Sequence, residues 1–253
     1  MGVRGLHTYM MKYVEGGYET VNIPEIAEKY RQETGLDPVI ALDISSCVLE
    51  IFYMNEIDTW VESDRYKKFE LAVNKFLDSF TKLGIKFYVI FDGVTPAPKI
   101  RVAEERTVAS IETHEEIYQV LKDSTHEKTS NLEKEDFFIT PTGAHSVLHS
   151  IFQSNKYCTC KYSVVEADEE LADFAAKNQC FAYLTKDTDF IIYGVPKYCL
   201  NVGTLDLDDM TAKNYNREAL IKRLRIEPGH LPLFALICGN DYIPYDEVKY
   251  FHK

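Results

Sequence analysis

The sequence predicts an α/β fold: a doubly wound, mainly parallel central sheet with helices on both faces. Three observations carry this expectation. Continuous apolar runs of strand length recur along the chain, as in PVIALD and KFYVIFD, and such runs suit strands buried on both faces. Between them the apolar residues recur at helical spacing. An acidic residue stands at or just past the end of most of the strand-like runs.

The elements follow in order. Residues 4–14 place Leu6, Tyr9, Met10 and Tyr13 on one helical face. Asn22 is a natural cap for a second helix with Pro24 in its first turn, and Gly35 ends it before the strand PVIALD. From 63 to 83 the spacing of Phe69, Val73, Phe76, Leu77 and Phe80 is helical, and 86–92 forms the next buried strand. A helix is predicted over 102–123, a polar loop over 124–140, and a helix from Thr142 to about Gln153. There follow a strand at 161–166, a helix at 167–178, strands at 181–187 and 197–202, and helical patterns in NREALIKRL and LPLFALICG. No internal repeat or low-complexity tract interrupts the pattern.

Composition narrows the function classes. A chain of 253 residues with 45% hydrophobic content can build one large α/β domain. Its six cysteines lie mostly in apolar runs, and the C-x-C pair Cys158/Cys160 has no second pair to complete a zinc site. Reduced, buried thiols in an intracellular protein are expected, with nucleus and cytoplasm not distinguished. No run approaches the roughly 20 apolar residues of a membrane span, and the N-terminus lacks a signal-peptide core. The formal net charge of −12 runs against a broad nucleic-acid face, so any such contact would use a local patch or bound metal.

The acids are the candidate site. Asp43, Asp92, Glu166, Asp168, Asp187, Asp189 and Asp241 all fall at or just past strand-like or apolar segments. In a doubly wound sheet, the carboxyl ends of parallel strands share one rim, where ligands bind. Crowded carboxylates repel unless cations hold them together, and an all-oxygen set suits Mg²⁺ or Mn²⁺ acting on a phosphodiester. Taken singly, Asp92 reads equally as a turn residue and Asp43 as a helix cap. The D-x-D pair at 187–189 lacks the phosphatase continuation, because Ile191 stands where Thr or Val is required. His114, His126, His145 and His149 read as ordinary surface or helix residues.

Together these segments resemble one family, the flap endonuclease and XPG-type nucleases of the PIN-like fold. MGVRGLHTYM is similar to the family's MGI-x-GL start, FDGVTPAPK to its FDG segment, and VVEADEELA to its acidic E-A-E/D motif. LTKDTDFIIYG and GNDYIP are similar to its T-x-D-x-D and G-x-D-Y motifs, so the likeness spans Gly2 to Pro244. The resemblance implies a single domain over 1–253, with motif regions at 1–106 and 141–253 and an arch-like insert at about 107–140. It implies two Mg²⁺ or Mn²⁺ ions, the first on Asp43, Asp92, Glu166 and Asp168, the second completed by Asp187, Asp189 and Asp241. Lys99 and Arg106 fall where the family keeps a basic pair toward the scissile phosphate, and Gly2 where its backbone lies close to the active centre.

The sequence also departs from that pattern. Residues 107–136 carry eight acids against Lys122, Lys128 and Lys134, a balance that repels a threaded strand. The helix–two-turn–helix module that grips duplex is expected to be absent or truncated. HLPLFALICGND resembles the asteroid-like proteins and the constitutive coactivators of PPAR-gamma, some of which act as RNA-binding or scaffolding proteins. The expected function is a metal-dependent nuclease for single-stranded or branched DNA or RNA, in a monomeric, membrane-free domain. The alternatives are a non-catalytic adaptor binding RNA or protein partners on the same fold, and a phosphoryl-transfer enzyme for small substrates.

Overall fold

The computed structural model describes residues 2–55, 57, 64–93, 100–123, 140–141, 143–164, 166–239, 243 and 245–252. Lys99, Asp241 and the predicted loop up to residue 139 lie outside them. The chain opens with α1 (Leu6–Tyr13), β1 (Tyr18–Asn22), α2 (Ile23–Thr34), β2 (Val39–Leu42) and α3 (Ile44–Met54). It continues with α4 (Arg65–Thr81), β3 (Lys86–Phe91), α5 (Ile100–Asp123), α6 (Ala144–Ser154) and β4 (Cys158–Tyr162). Then come α7 (Ala167–Lys177), β5 (Ala182–Thr185), α8 (Asp189–Tyr193), β6 (Tyr198–Asp206) and β7 (Thr211–Tyr215). The last elements are α9 (Arg217–Leu224), α10 (Leu231–Cys238) and α11 (Tyr245–Val248).

The described strands form one sheet in the order β1-β7-β6-β5-β2-β3-β4. The five strands from β6 to β4 are mutually parallel, while β7 pairs antiparallel with both β6 and β1. From β2 the chain builds outward through β3 and β4, then returns to lay β5 on the other side of β2. That reversal opens a crevice between β2 and β5, the place where a doubly wound sheet binds its ligand.

Both faces of the sheet are covered. Ile40, Leu42, Ala182 and Leu184 point into a core with α2, α3, α4 and α6. Ala41 and Tyr183, their alternates, point into a second core with α1, α7, α8, α9 and α10. Phe52 stacks on Phe69 at 4.2 Å, joining α3 to α4, and Tyr88 stacks on Phe174 of α7. Phe52, Phe69 and Tyr88 are buried, and each such ring contributes on the order of 1.5–3 kcal/mol relative to exposure.

The expected helices α1, α2, α4, α5, α6, α7, α9 and α10 form close to their predicted bounds, and the Asn22 side chain accepts from Glu25 N as a cap. Three expectations shift. The strand placed at 161–166 lies at Cys158–Tyr162, because backbone pairing to Phe87–Phe91 sets its register and Ser163 already leaves it. β1 and β7 were not expected; their burial is partial, so neither shows a continuous apolar run. The helices α3 and α8, which follow Asp43 and Asp187, also emerge from the structure alone. All six cysteines are free; Cys47, Cys180 and Cys199 are buried and the other three half-buried. Burial pushes the thiols of Cys158 and Cys180 up to about 12 and that of Cys160 to about 11, so thiolate chemistry is suppressed.

Candidate active site

The site is built from the ends of β2, β3, β4 and β5. Asp43 directly follows β2 and is buried, 8% exposed. Its backbone N–H donates to Leu184 O of β5 at 3.1 Å, so it sits on the lip of the switch-point crevice. Its side chain caps α3: Oδ1 accepts from Ser45 N at 3.1 Å and Ser46 N at 3.3 Å. Oδ2 accepts from the Ser46 hydroxyl and, across the crevice, from Thr185 Oγ1 at 2.7 Å. A buried carboxylate is tolerated here because both its oxygens are hydrogen-bonded.

Asp92 follows β3 at the surface, and its Oδ2 accepts from Ser45 Oγ at 2.9 Å. Ser45 and Ser46 thus link the acids of two neighbouring strands. Gly93 approaches β4 so closely that any added Cβ would overlap Ser163 O, while its N–H donates to Ser163 Oγ at 2.7 Å. The glycine of FDG therefore lets the two strand ends converge.

Asp187 follows β5 by two residues and opens the turn into α8. Its N–H donates to Thr185 Oγ1 at 2.8 Å, and its Oδ1 accepts from Asp189 N at 2.9 Å. The D-x-D spacing is thus a turn in which the first acid accepts from the backbone of the second. Gly2 has φ +99°, and a Cβ there would overlap Asp187 Oδ1 and crowd Thr188. The N-terminal segment is pressed against the acid by a residue that only glycine replaces without strain.

Glu166 caps α7 by position, and Asp168 lies in that helix's first turn, where the helix dipole favours negative charge. Glu170 Oε1 folds back to accept from Val164 N at 2.6 Å, fixing the loop before α7. Burial raises the phenol of Tyr193 in α8, and the charges of Asp168, Asp189, Glu169 and Glu166 raise it further. The Cys199 thiol is likewise raised, first by burial and then by Asp187 and Asp43. The acids of α7 and α8 thus lie near Tyr193, and those after β2 and β5 near Cys199.

Six of the seven expected acids therefore lie along one edge of the sheet, on four parallel strands and the helices after them. Among the described residues, no three His, Cys, Asp or Glu side chains close up tightly enough to hold a metal ion between them. The donors are nevertheless all carboxylate oxygens in a concentrated negative field, and that chemistry fits a hard divalent cation. Arg106 is exposed on α5, immediately after the Arg101–Glu105 ion pair. His149 packs edge-on to Phe91 and bonds Tyr162, an ordinary structural role. Sequence reasoning missed Ser45, Ser46 and Thr185, whose hydroxyls organise the acids; the signal was present as Asp-x-Ser-Ser after one strand and Thr-x-Asp after another.

The catalytic core of Rad2 in complex with DNA substrate superposes with a TM-score of 0.59 at 14% identity, covering 100% of this chain and 69% of that one. Human GEN1 in complex with Holliday junction DNA gives 0.58 at 16% identity, covering 99% and 55%. The architecture is thus the flap-endonuclease-like nuclease fold, and at these identities the likeness concerns fold alone. Residues 158–241 match the XPG I-region. The constitutive coactivator of peroxisome proliferator-activated receptor gamma of Bos taurus is 30% identical over 245 residues, 96% of this chain and 34% of that protein. Flap endonuclease 1 of Pyrobaculum arsenaticum is 23% identical over 171 residues, 64% of this chain and 48% of that one. The chain spans about a third of the length of the coactivator it matches. The chain thus carries an XPG I-region and is homologous to the constitutive coactivators and to flap endonuclease 1.

Proposed function

We propose that the chain is a divalent-metal-dependent nuclease that hydrolyses phosphodiester bonds in single-stranded or branched DNA or RNA. The reading is supported by the sheet order, in which Asp43, Asp92, Glu166 and Asp187 each follow one of four neighbouring parallel strands around the switch point. Asp43, Asp92, Glu166 and Asp168 would hold one Mg²⁺ or Mn²⁺, and Asp187, Asp189 and Asp241 would complete a second site. When bound, such ions supply an activated water and neutralise the leaving oxygen. Ser45, Ser46 and Thr185 orient Asp43 and Asp92 by donating hydrogen bonds to them. Gly2 lets the N-terminal segment approach Asp187, because a side chain at that position would displace the acid. Lys99 and Arg106 would bind the non-bridging phosphate oxygens, with Arg106 reaching in from α5.

A second reading, an adaptor that binds protein or RNA on the nuclease fold, draws on a different observation. Both oxygens of Asp43 and one of Asp92 are engaged by hydroxyl or amide donors, and the relatives that match across the chain are named as coactivators. Incubation of labelled 5′-flap, single-stranded DNA and single-stranded RNA with Mg²⁺ or Mn²⁺ separates the two. Cleavage that disappears in Asp187→Ala/Asp189→Ala is expected. An intact, metal-binding protein that cuts none of the three would leave the adaptor.

A further inference from the structure

Beside Gly2, and bordered by Lys186 and Thr188 on either side of Asp187 in the sequence, lies an open groove of about 690 Å³ between the N-terminal segment, β6 and β7. Its lining holds Arg4, Lys186 and Lys213 and, among the described residues, no Asp or Glu. In a chain with a net charge of −12, an acid-free wall with three cations is a local reversal of sign. Lys186 is matched by the buried carboxylate of Glu50. Arg4 lies 4.0 Å over the Tyr245 ring and Lys213 6.0 Å from the Tyr18 ring. Contact with a ring leaves the charge itself uncompensated, so these two cations still attract an anion.

The floor of the groove is pre-organised. Asn201 Nδ2 donates to Tyr18 OH at 2.7 Å and to Tyr215 OH at 3.0 Å, and its Oδ1 accepts from Gly203 N at 2.9 Å. Tyr215 OH in turn bonds His7 Nδ1 at 2.6 Å. The Tyr18 ring, half-buried, meets His7 edge-on and Tyr215 at 4.9 Å between centroids. Aromatic walls with fixed hydroxyls accept a flat base, and sequence-tolerant stacking of this kind is common in strand-binding channels. The volume falls within the roughly 300–1,000 Å³ of small-ligand pockets and far exceeds what a bare phosphate needs.

We propose that this groove binds a phosphate-bearing nucleotide of the nucleic-acid strand, one that lies beside Gly2, close to the bond to be cut. Arg4 and Lys213 take the phosphate, and the half-buried Tyr18 ring with the exposed His7, backed by the buried Tyr215, receives the sugar and base. The proposal rests on the nuclease reading, because Gly2 forms a wall shared by the groove and Asp187. It also resolves the charge problem: a strongly acidic chain can hold a strand locally through this one patch.

Calorimetric titration of the whole chain in EDTA tests it without any turnover. Adenosine 5′-monophosphate, adenosine and inorganic phosphate are compared on the wild type, Arg4→Ala, Lys213→Ala, Lys213→Arg and Asp187→Ala/Asp189→Ala. The monophosphate should bind the wild type more tightly than adenosine or phosphate does, and the double Asp variant at least as tightly, since two negative charges near the groove are removed. Arg4→Ala and Lys213→Ala should each weaken it by roughly three- to tenfold, with Lys213→Arg restoring most of the loss. The proposal is overturned by absence of monophosphate binding, by equal binding of phosphate, or by affinity indifferent to Arg4 and Lys213. Monophosphate binding in a protein that cleaves nothing would keep the groove and remove the catalytic reading instead.

Discussion

At Gly2 the backbone at φ +99° and the contact with Asp187 make the same demand, so the residue tests how closely the N-terminal segment and the acids are coupled. Gly2→Ala both strains the left-handed backbone and forces Asp187 to move. Cleavage should fall by roughly tenfold or more, since displacing a reacting group by about 1 Å costs on the order of 10²-fold. Melting temperature should drop only a few degrees, because no core side chain is removed; steady-state kinetics beside a thermal melt reads both. In the groove beside Gly2, burial and then Lys186 hold the His7 imidazole below its usual pKa. The folded chain therefore binds fewer protons there than the unfolded one. The contribution of His7 to stability is complete above about pH 6.5 and is lost as pH falls through that value toward the lower folded one. His7→Gln should flatten the decline in melting temperature between pH 7 and 5, and an unchanged slope would place the acid sensitivity elsewhere. Gly2 and the acids stood out as candidates because residue type is written in the sequence. The hydroxyls of Ser45 and Thr185 did not, since only the fold reveals which carboxylate a serine meets.

Elements were legible where burial is two-sided. PVIALD and KFYVIF announce β2 and β3 because consecutive residues on both faces are buried, and Asn22 announces α2 because its side chain must satisfy an open N–H. YETVN and TAKNY gave no such signal: each is only partly buried, and their pairing with one another is non-local. The start of α3 was the ambiguous case, because Asp43 reads both as cap and as ligand. The structure gives it the cap, and that turns the ambiguity into an experiment. Asp43→Ala removes the acceptor for Ser45 N and Ser46 N and strands the Thr185 hydroxyl, costing about 1–2 kcal/mol. Asp43→Asn keeps a capping oxygen and should retain most of the stability, yet it removes the charge a cation needs. Denaturant unfolding of both variants, set beside their cleavage rates, should show Asn stable and inactive and Ala inactive and weakened. An active Asp43→Asn would reduce Asp43 to its capping role.

For the whole molecule the governing quantity is charge. A chain at −12 concentrates acids on the rim of its sheet, and their mutual repulsion opposes folding unless something positive sits among them. Two responses follow if the rim is a cation site. Removing Asp187 and Asp189 relieves repulsion, so Asp187→Ala/Asp189→Ala should melt at or above the wild-type temperature in EDTA. Adding Mn²⁺ stabilises only a protein that binds it when folded, by about 2.7 kcal/mol at a hundredfold excess over Kd. For a chain of this size that corresponds to a rise of roughly 5–10 °C. The wild type should show that rise in a thermal melt and the double variant should not, so that Mn²⁺ reverses their order of stability. Ionic strength alone cannot imitate the reversal, because screening acts on both proteins and a matched increment of NaCl moves them together. If instead the double variant melts several degrees lower in EDTA, Asp187 and Asp189 hold the turn between β5 and α8 through the bond from Asp189 N to Asp187, and the rim is architecture rather than a metal centre.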